Sequence, residues 1–321
     1  MTGRDVDSLR TLGVGVIRPR IAVGPLRAAW VVEAILAGGG EPAAMEAAPV
    51  GLVWTDGGAV EERQSLLDAH PEIEWVQLPS AGVEAVFESG VIDRQRRWTS
   101  AKGAYAEPVA EHALALTLAG LRRLPERARA RSWGRSAGES LFDQSVTVVG
   151  AGGITLALLR LLAPFRVKVT VVRRRPEPLT GAIRTVGTDQ LPDAITGARA
   201  VVLALALTPR TRCLIGRREL EAMEEDAWLV NVARGGLVDT EVLVDALRSG
   251  SIGGAALDVT DPEPLPAGHP LWDLPNCLIT PHSADTEEMT RPLLAGRITE
   301  NVRRLSIGRE LIGLLNPDLG Y

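Results

Sequence analysis

Short apolar runs alternate with helix-periodic stretches along most of the chain. This is the pattern of parallel strands joined by covering helices. In the first hundred residues the apolar runs predict strands at 14–17, 50–54, 75–78 and 98–100. A helix is predicted over 30–37, stopped by Gly38, Gly39 and Gly40. A longer helix is predicted over 108–121, with Pro108 suited to its first turn. A more regular series begins near Ser145, with a strand at 146–149, a helix at 155–162 and a strand at 167–172. Further strands are predicted at 200–205, 229–232, 255–257 and 277–280, with helices at 240–249 and 287–307. These runs are apolar on both faces, as buried parallel strands are. Two successive α/β series predict two α/β domains with a cleft between them.

The first strand of the second series ends in VVGAGGIT, residues 148–155. It approximates G-x-G-x-x-G, with Thr155 in place of the third glycine. Gly150 would permit the tight turn, and Gly152 would let a pyrophosphate approach the backbone. The third glycine serves helix–strand packing, so Thr155 bears on packing and not on the phosphates. Its hydroxyl would be able to bond a helix carbonyl or a cofactor oxygen. The motif alone is equally an ordinary strand-to-helix turn; the strand–turn–helix–strand context favours a dinucleotide. The next strand ends VTVVRRRP. An acid that binds the ribose of NAD is expected about 20 residues beyond the glycines. Arg173, Arg174 and Arg175 stand there instead. They form either a solvated basic turn or, if the glycine turn is a site, a phosphate clamp that favours NADP.

Composition narrows the function classes. The 321 residues suit two domains, and 45% hydrophobic with 23% charged residues is ordinary for a globular chain. A net charge of −5 without a basic stripe argues against a nucleic-acid partner. The longest apolar run, 200–207, is too short for a bilayer. The N-terminus, MTGRDVDSLR, lacks the apolar core of a signal peptide. Cys213 and Cys277 are far apart and read as buried thiols in a reducing compartment. A cytoplasmic protein without membrane association is expected.

Three further stretches carry candidate chemistry: NVARGGLVD (231–239), LDVTDPEPL (257–265) and LPNCLITPHSA (274–284). Each places a polar residue after an apolar strand: Arg234, Glu263 and His282. Strand ends open onto the ligand crevice in such folds. Taken singly, Arg234 could cap a helix, Glu263 could be a surface acid and His282 a core histidine. His70 and His112 read as structural, and His269 as a loop residue beside the site. No cluster has metal-ligand spacing, so no metal is expected.

These stretches, with LPSAGVE (78–84) and AEPVAEHALALTLA (106–119), resemble the D-isomer-specific 2-hydroxyacid dehydrogenases. That family includes glyoxylate/hydroxypyruvate reductases and phosphoglycerate dehydrogenases. The resemblance runs from about residue 50 to the C-terminal LNPDLGY. It implies two Rossmann-like or flavodoxin-like parallel-sheet domains with a cleft that closes by a hinge. Residues 101–284 would bind the nucleotide; 1–100 and 285–321 would form the substrate (catalytic) domain, with no further C-terminal regulatory domain. Arg234, Glu263 and His282 match the family's catalytic Arg, Glu and His.

Reducing a 2-oxo acid needs a hydride at the carbonyl carbon and a proton for its oxygen. The resemblance implies that His282 donates the proton. Glu263 would hold the other imidazole nitrogen and favour the imidazolium. Arg234 would clamp the substrate carboxylate and polarise the carbonyl. It further implies cofactor contacts at Gly150, Gly152, Gly153, Ile154, Arg173, Arg174, Thr208, Pro209, Val232, Ala233, Asp258 and Ala284. The last acid, Asp258, would bond the nicotinamide carboxamide. Ser80, Ala81 and Gly82 would receive the substrate carboxylate. Three positions depart from the family pattern: Thr155, Arg173 at the ribose-acid position, and Glu84 for the usual aspartate. Trp133, in RARSWGR, resembles an arm that packs between subunits of a homodimer, or is an ordinary partly buried tryptophan. The expectation is an oxidoreductase reducing a small 2-oxo acid to the D-2-hydroxy acid with NADPH, NAD being less favoured. The other reading is a cofactor-sensing regulatory relative of weak catalytic power.

Overall fold

The computed structural model describes residues 18–317. The chain divides into two compact units, one running to Ala104 and resuming at Glu287, the other spanning Tyr105–Thr286. Both are α/β with parallel sheets, as the alternating pattern predicts.

The first unit carries β1 (Arg20–Gly24), β2 (Glu41–Pro42), β3 (Gly51–Trp54), β4 (Trp75–Gln77) and β5 (Arg97–Thr99). They pair in the order β2-β1-β3-β4-β5, every pair parallel. Helices α1 (Ala29–Ala37) and α2 (Val60–Ala69) connect them. One face buries Leu52, Trp54, Leu67, Val76 and Trp98 together. Gly51 is needed where β1 and β4 close in, because a side chain there would strike Ile21 and Trp75. The C-terminal helix, Glu287–Ser306, returns to this unit, where Thr299 donates to the Ala34 carbonyl of α1. The strand expected at 14–17 lies outside the described residues. Strand β1, preceding the Gly24–Pro25 turn, was not anticipated.

The second unit opens with α3 (Ala106–Leu121) and continues with β6 (Ser145–Val149), α4 (Gly153–Leu162), β7 (Lys168–Val172) and β8 (Arg184–Val186). It then adds β9 (Ala200–Leu203), β10 (Trp228–Asn231), α5 (Thr240–Ser249), β11 (Gly254–Leu257) and β12 (Cys277–Ile279). The sheet order is β12-β11-β10-β9-β6-β7-β8. Chain direction reverses its lateral progress at β6, which lies between β7 and β9. In open α/β sheets that switch point, at the carboxyl ends of the strands, is where ligands bind. β9 and β10 are buried at every residue, which explains their unbroken apolar sequence. Helix α3 lies tight against β10, because a β-carbon on Gly120 would enter the Trp228 indole. The strands expected to reach 205, 232 and 280 stop at Leu203, Asn231 and Ile279. The residues that follow turn into loops at the carboxyl ends of the strands.

Candidate active site

The glycine turn follows β6. Gly150 has φ 112°, and a β-carbon there would strike the Ala204 carbonyl at the end of β9. Its N–H donates to the Val172 carbonyl of β7 at 2.8 Å. The turn is thus gripped by both neighbouring strands, and only glycine satisfies the dihedral and the space together. Gly152 caps α4 in an extended conformation, and the space a β-carbon would occupy there is open. Helix α4 has no acid in its first turn, so the amides of Gly153 and Ile154 present an unneutralised positive end. Thr155 is fully buried, and its hydroxyl donates to the Gly150 carbonyl at 3.0 Å. Where the family pattern has a third glycine, this chain ties the turn with a side-chain hydrogen bond.

Arg173 follows β7, alongside the glycine turn. Its N–H is held by the Val186 carbonyl, and its guanidinium lies 3.5 Å from Glu177. Arg174 and Arg175 are exposed. Thr208 and Pro209 form a turn closed by Thr211, whose hydroxyl accepts from the Thr208 N–H at 2.8 Å.

The Arg234 loop is shaped by Asn231 at the end of β10. The Asn231 side-chain amide donates to the Arg234 carbonyl at 2.8 Å and its oxygen accepts from the Ala233 N–H at 3.1 Å. Val232 and Ala233 are buried between them. Arg234 Nη1 donates to the Ala233 carbonyl at 2.6 Å. Gly235 then passes so close to Thr260 that a β-carbon would overlap the Thr260 carbonyl. The ARGG loop and the loop carrying Glu263 are therefore packed backbone to backbone. Thr240 reinforces this by donating to the Asp261 carbonyl at 2.8 Å.

His282 Nδ1 lies 2.6 Å from Glu263 Oε1, with both side chains partly exposed. Its backbone is in the left-handed region at φ 49°, uncommon for a residue with a side chain. Its N–H donates to the Asp258 carbonyl at 2.8 Å and reaches the Thr280 carbonyl at 3.0 Å. The buried Asp258 carboxylate holds the same turn from inside. It accepts from Thr280 Oγ1 at 2.6 Å, from the Ser283 N–H at 2.9 Å and from the Ala284 N–H at 3.1 Å. Burial would raise its pKa. Hydrogen bonds from His112, Thr280, Ser283 and Ala284 outweigh burial and hold it down at about 2. Asp258 thus serves the turn structurally, whatever it also offers a ligand.

Two residues near this turn were not legible as site residues. His112, read as structural, places Nε2 3.0 Å from Thr280 Oγ1 and 3.3 Å from Asp258 Oδ1. Asp285 feels His282, Asp258 and Arg234; burial first, and the Asp258 charge, raise its pKa, while His282 and Arg234 oppose the rise. Asp285 directly follows TPHSA in sequence, but nothing in its spacing distinguishes it from a loop acid.

The remaining residues are quickly placed. His70 pairs with Glu72 at 2.9 Å in the first unit. His269 caps the short turn Pro270–Trp272 by accepting from the Leu271 N–H. In the first unit, Ser80 donates to the Gly82 carbonyl at 2.7 Å, folding the loop after β4. The expectation of two buried thiols needs correcting. Cys277 is buried, its pKa pushed up to about 12 by desolvation, but Cys213 is exposed, following the mostly polar stretch 208–212, which does not pack into the core. Trp133 is 98% exposed, which removes the partly buried alternative for the chain by itself. Among the described residues no group of three or more His, Cys, Asp or Glu is placed to hold a metal. None of the described helices is long and apolar enough to cross a membrane.

The strand order and glycine turn define a dinucleotide-binding α/β domain of the oxidoreductase type. Comparison with known proteins agrees. The model of the D-isomer specific 2-hydroxyacid dehydrogenase NAD-binding domain matches residues 112–284. An uncharacterized protein from the proB 3' region of Corynebacterium melassecola is 37% identical over 90% of this chain and 95% of its own. Human glyoxylate reductase/hydroxypyruvate reductase is 32% identical over 72% of this chain and 73% of its own. A D-isomer specific 2-hydroxyacid dehydrogenase from Xanthobacter autotrophicus Py2, solved with NADPH and MES, superposes with a TM-score of 0.81 at 28% identity, covering 95% of this chain and all of that one. The chain belongs to the D-isomer-specific 2-hydroxyacid dehydrogenase family.

Proposed function

We propose that the chain reduces a small 2-oxo acid of the glyoxylate or hydroxypyruvate type to the D-2-hydroxy acid, preferring NADPH, with His282 as the proton donor. The observation that carries this reading is the 2.6 Å contact between His282 Nδ1 and Glu263. It engages one imidazole nitrogen with a carboxylate and leaves Nε2 to face a substrate oxygen. Arg234, held by Asn231 on an adjacent loop, supplies the guanidinium for the substrate carboxylate and polarises the carbonyl. The first unit is assigned to the substrate, with the Ser80–Ala81–Gly82 loop as its carboxylate contact.

The residues at the switch point fit a dinucleotide. The opening at Gly152 and the first-turn amides of Gly153 and Ile154 would take the pyrophosphate. Thr208 and Pro209 would lie on the adenosine side, and Val232, Asp258 and Ala284 on the nicotinamide side. The Ala233 amide is already given to Asn231, so Ala233 would contribute contact and not a donor. When bound, the reduced nicotinamide supplies the hydride. Arg173 and Arg174 would read the 2′-phosphate, since guanidinium attracts what a carboxylate would repel. The Xanthobacter relative was solved with NADPH, and the human relative is named for glyoxylate and hydroxypyruvate. The exposed arm around Trp133 is assigned to a homodimer contact.

The test is steady-state kinetics on a panel of 2-oxo acids with NADPH and NADH. Turnover of glyoxylate or hydroxypyruvate with higher kcat/KM for NADPH is expected. An NADH value equal or higher removes the arginine argument. Cofactor binding without turnover of any acid favours the cofactor-sensing alternative. Thr155 lends that alternative no support, since its hydroxyl is used inside the turn.

A further inference from the structure

His112 lies within the AEPVAEHALALTLA stretch, but the proposed chemistry gives it no role. It sits in the middle of α3, a helix anchored by buried Val109, Ala110, Ala113 and Leu116. Its Nε2 contacts Thr280 Oγ1 at 3.0 Å and Asp258 Oδ1 at 3.3 Å. Thr280 has one hydroxyl proton, and 2.6 Å away stands Asp258 Oδ1. A carboxylate only accepts, so the Thr280 proton points to Asp258. The contact between Thr280 and His112 can then be a hydrogen bond only if Nε2 carries a proton and donates it. The network therefore fixes where the His112 proton is: on Nε2, aimed at Thr280 Oγ1 and Asp258 Oδ1.

The same carboxylate that receives this support holds the Ser283 and Ala284 amides, the two that directly follow His282 and its unusual backbone, while the Asp258 carbonyl holds the His282 N–H itself. A left-handed conformation at a residue with a side chain persists only where its surroundings impose it. Here the surroundings are Asp258, Thr280 and, behind both, His112. We propose that His112 is a positioning residue, whose Nε2–H fixes Thr280 and Asp258 and so aims the His282 imidazole. The proposal rests on the reductase reading for its kinetic consequence but not for its structural one.

The test uses the full chain with His112→Leu, which fills the space without a donor, and His112→Gln, whose amide can donate from about the place of Nε2. In H112L, kcat is expected to fall on the order of 10–100-fold, the cost of a misaimed catalytic group. H112Q is expected to recover most of the loss. A wild-type kcat in H112L overturns the proposal. So does an equal loss in both variants, which marks simple packing damage. The chain has four histidines, so His282 ring signals in NMR spectra are assignable by single substitution. Those signals are expected to move in H112L and to return toward their wild-type positions in H112Q, without substrate; signals that stay in place in H112L overturn the proposal. If the wild type reduces no 2-oxo acid, the reductase reading fails while the ring signals still decide the positioning.

Discussion

Replacing Asp258 with asparagine removes a buried charge on which four donors converge. A carboxyl held at about 2 instead of its ordinary 3.8 is stabilised by roughly 2 kcal/mol in the folded state. Asparagine keeps one acceptor but turns its NH2 toward either the Ser283 or the Ala284 N–H, which sit on different carboxylate oxygens. For a unit of this size, 2 kcal/mol corresponds to a fall in melting midpoint of about 4–8 °C. The pH dependence identifies the cause. The folded-state pKa is depressed, so the stabilisation is complete above about pH 5, shrinks as pH falls through 3.8, and is gone below about pH 2. Thermal unfolding of wild type and D258N across pH 7 to 3 measures it. The gap should narrow toward low pH. Equal stability at pH 7, or a gap of constant width, would refute the role given to the charge.

The other expectations are briefer. His282→Ala should nearly abolish turnover while cofactor still quenches tryptophan fluorescence; retention of most activity removes His282 as the acid. Changing Arg173 and Arg174 together to serine should lower kcat/KM for NADPH on the order of tenfold or more, the scale of a lost charged hydrogen bond, and leave NADH nearly unaffected. Parallel losses with both cofactors would contradict the 2′-phosphate assignment. Thr155→Val should destabilise the Tyr105–Thr286 unit by about 1–3 kcal/mol, because the Gly150 carbonyl loses its buried donor. Cofactor affinity in that variant should hold, and a large loss of it would place Thr155 at the ligand instead.

Much of this molecule could be read in advance because its signals are local. The glycine turn, the buried strands of the second unit and the three motif stretches announce themselves within a few residues. Arg234, Glu263 and His282 stand out as candidates because each lies within six residues of the end of its strand. The misses share a different origin. Strand β1 is closely bracketed by Pro19 and Pro25; β8, RTV at a sheet edge, has no apolar run to betray it. His112 meets Thr280 across 168 residues of chain, and no periodicity encodes such a contact. On its helix it looks like any half-buried histidine. The Thr155 hydroxyl, expected to reach a helix carbonyl or a cofactor oxygen, bonds instead to the Gly150 carbonyl in the turn before the helix. Nothing in the sequence around Gly235 announces the Thr260 peptide that passes over it.

That last glycine bears on how this protein can be altered. Gly235 and the Thr260 peptide touch without side chains between them, so the loops bearing Arg234 and Glu263 were fitted to each other at backbone resolution. They are one exchangeable cassette. A chimaera with a relative whose crossover falls between residues 235 and 260 would pair two loops never matched, and would misplace both functional groups at once. A crossover before Asn231, or after His282 and Ala284, would carry the fitted pair intact.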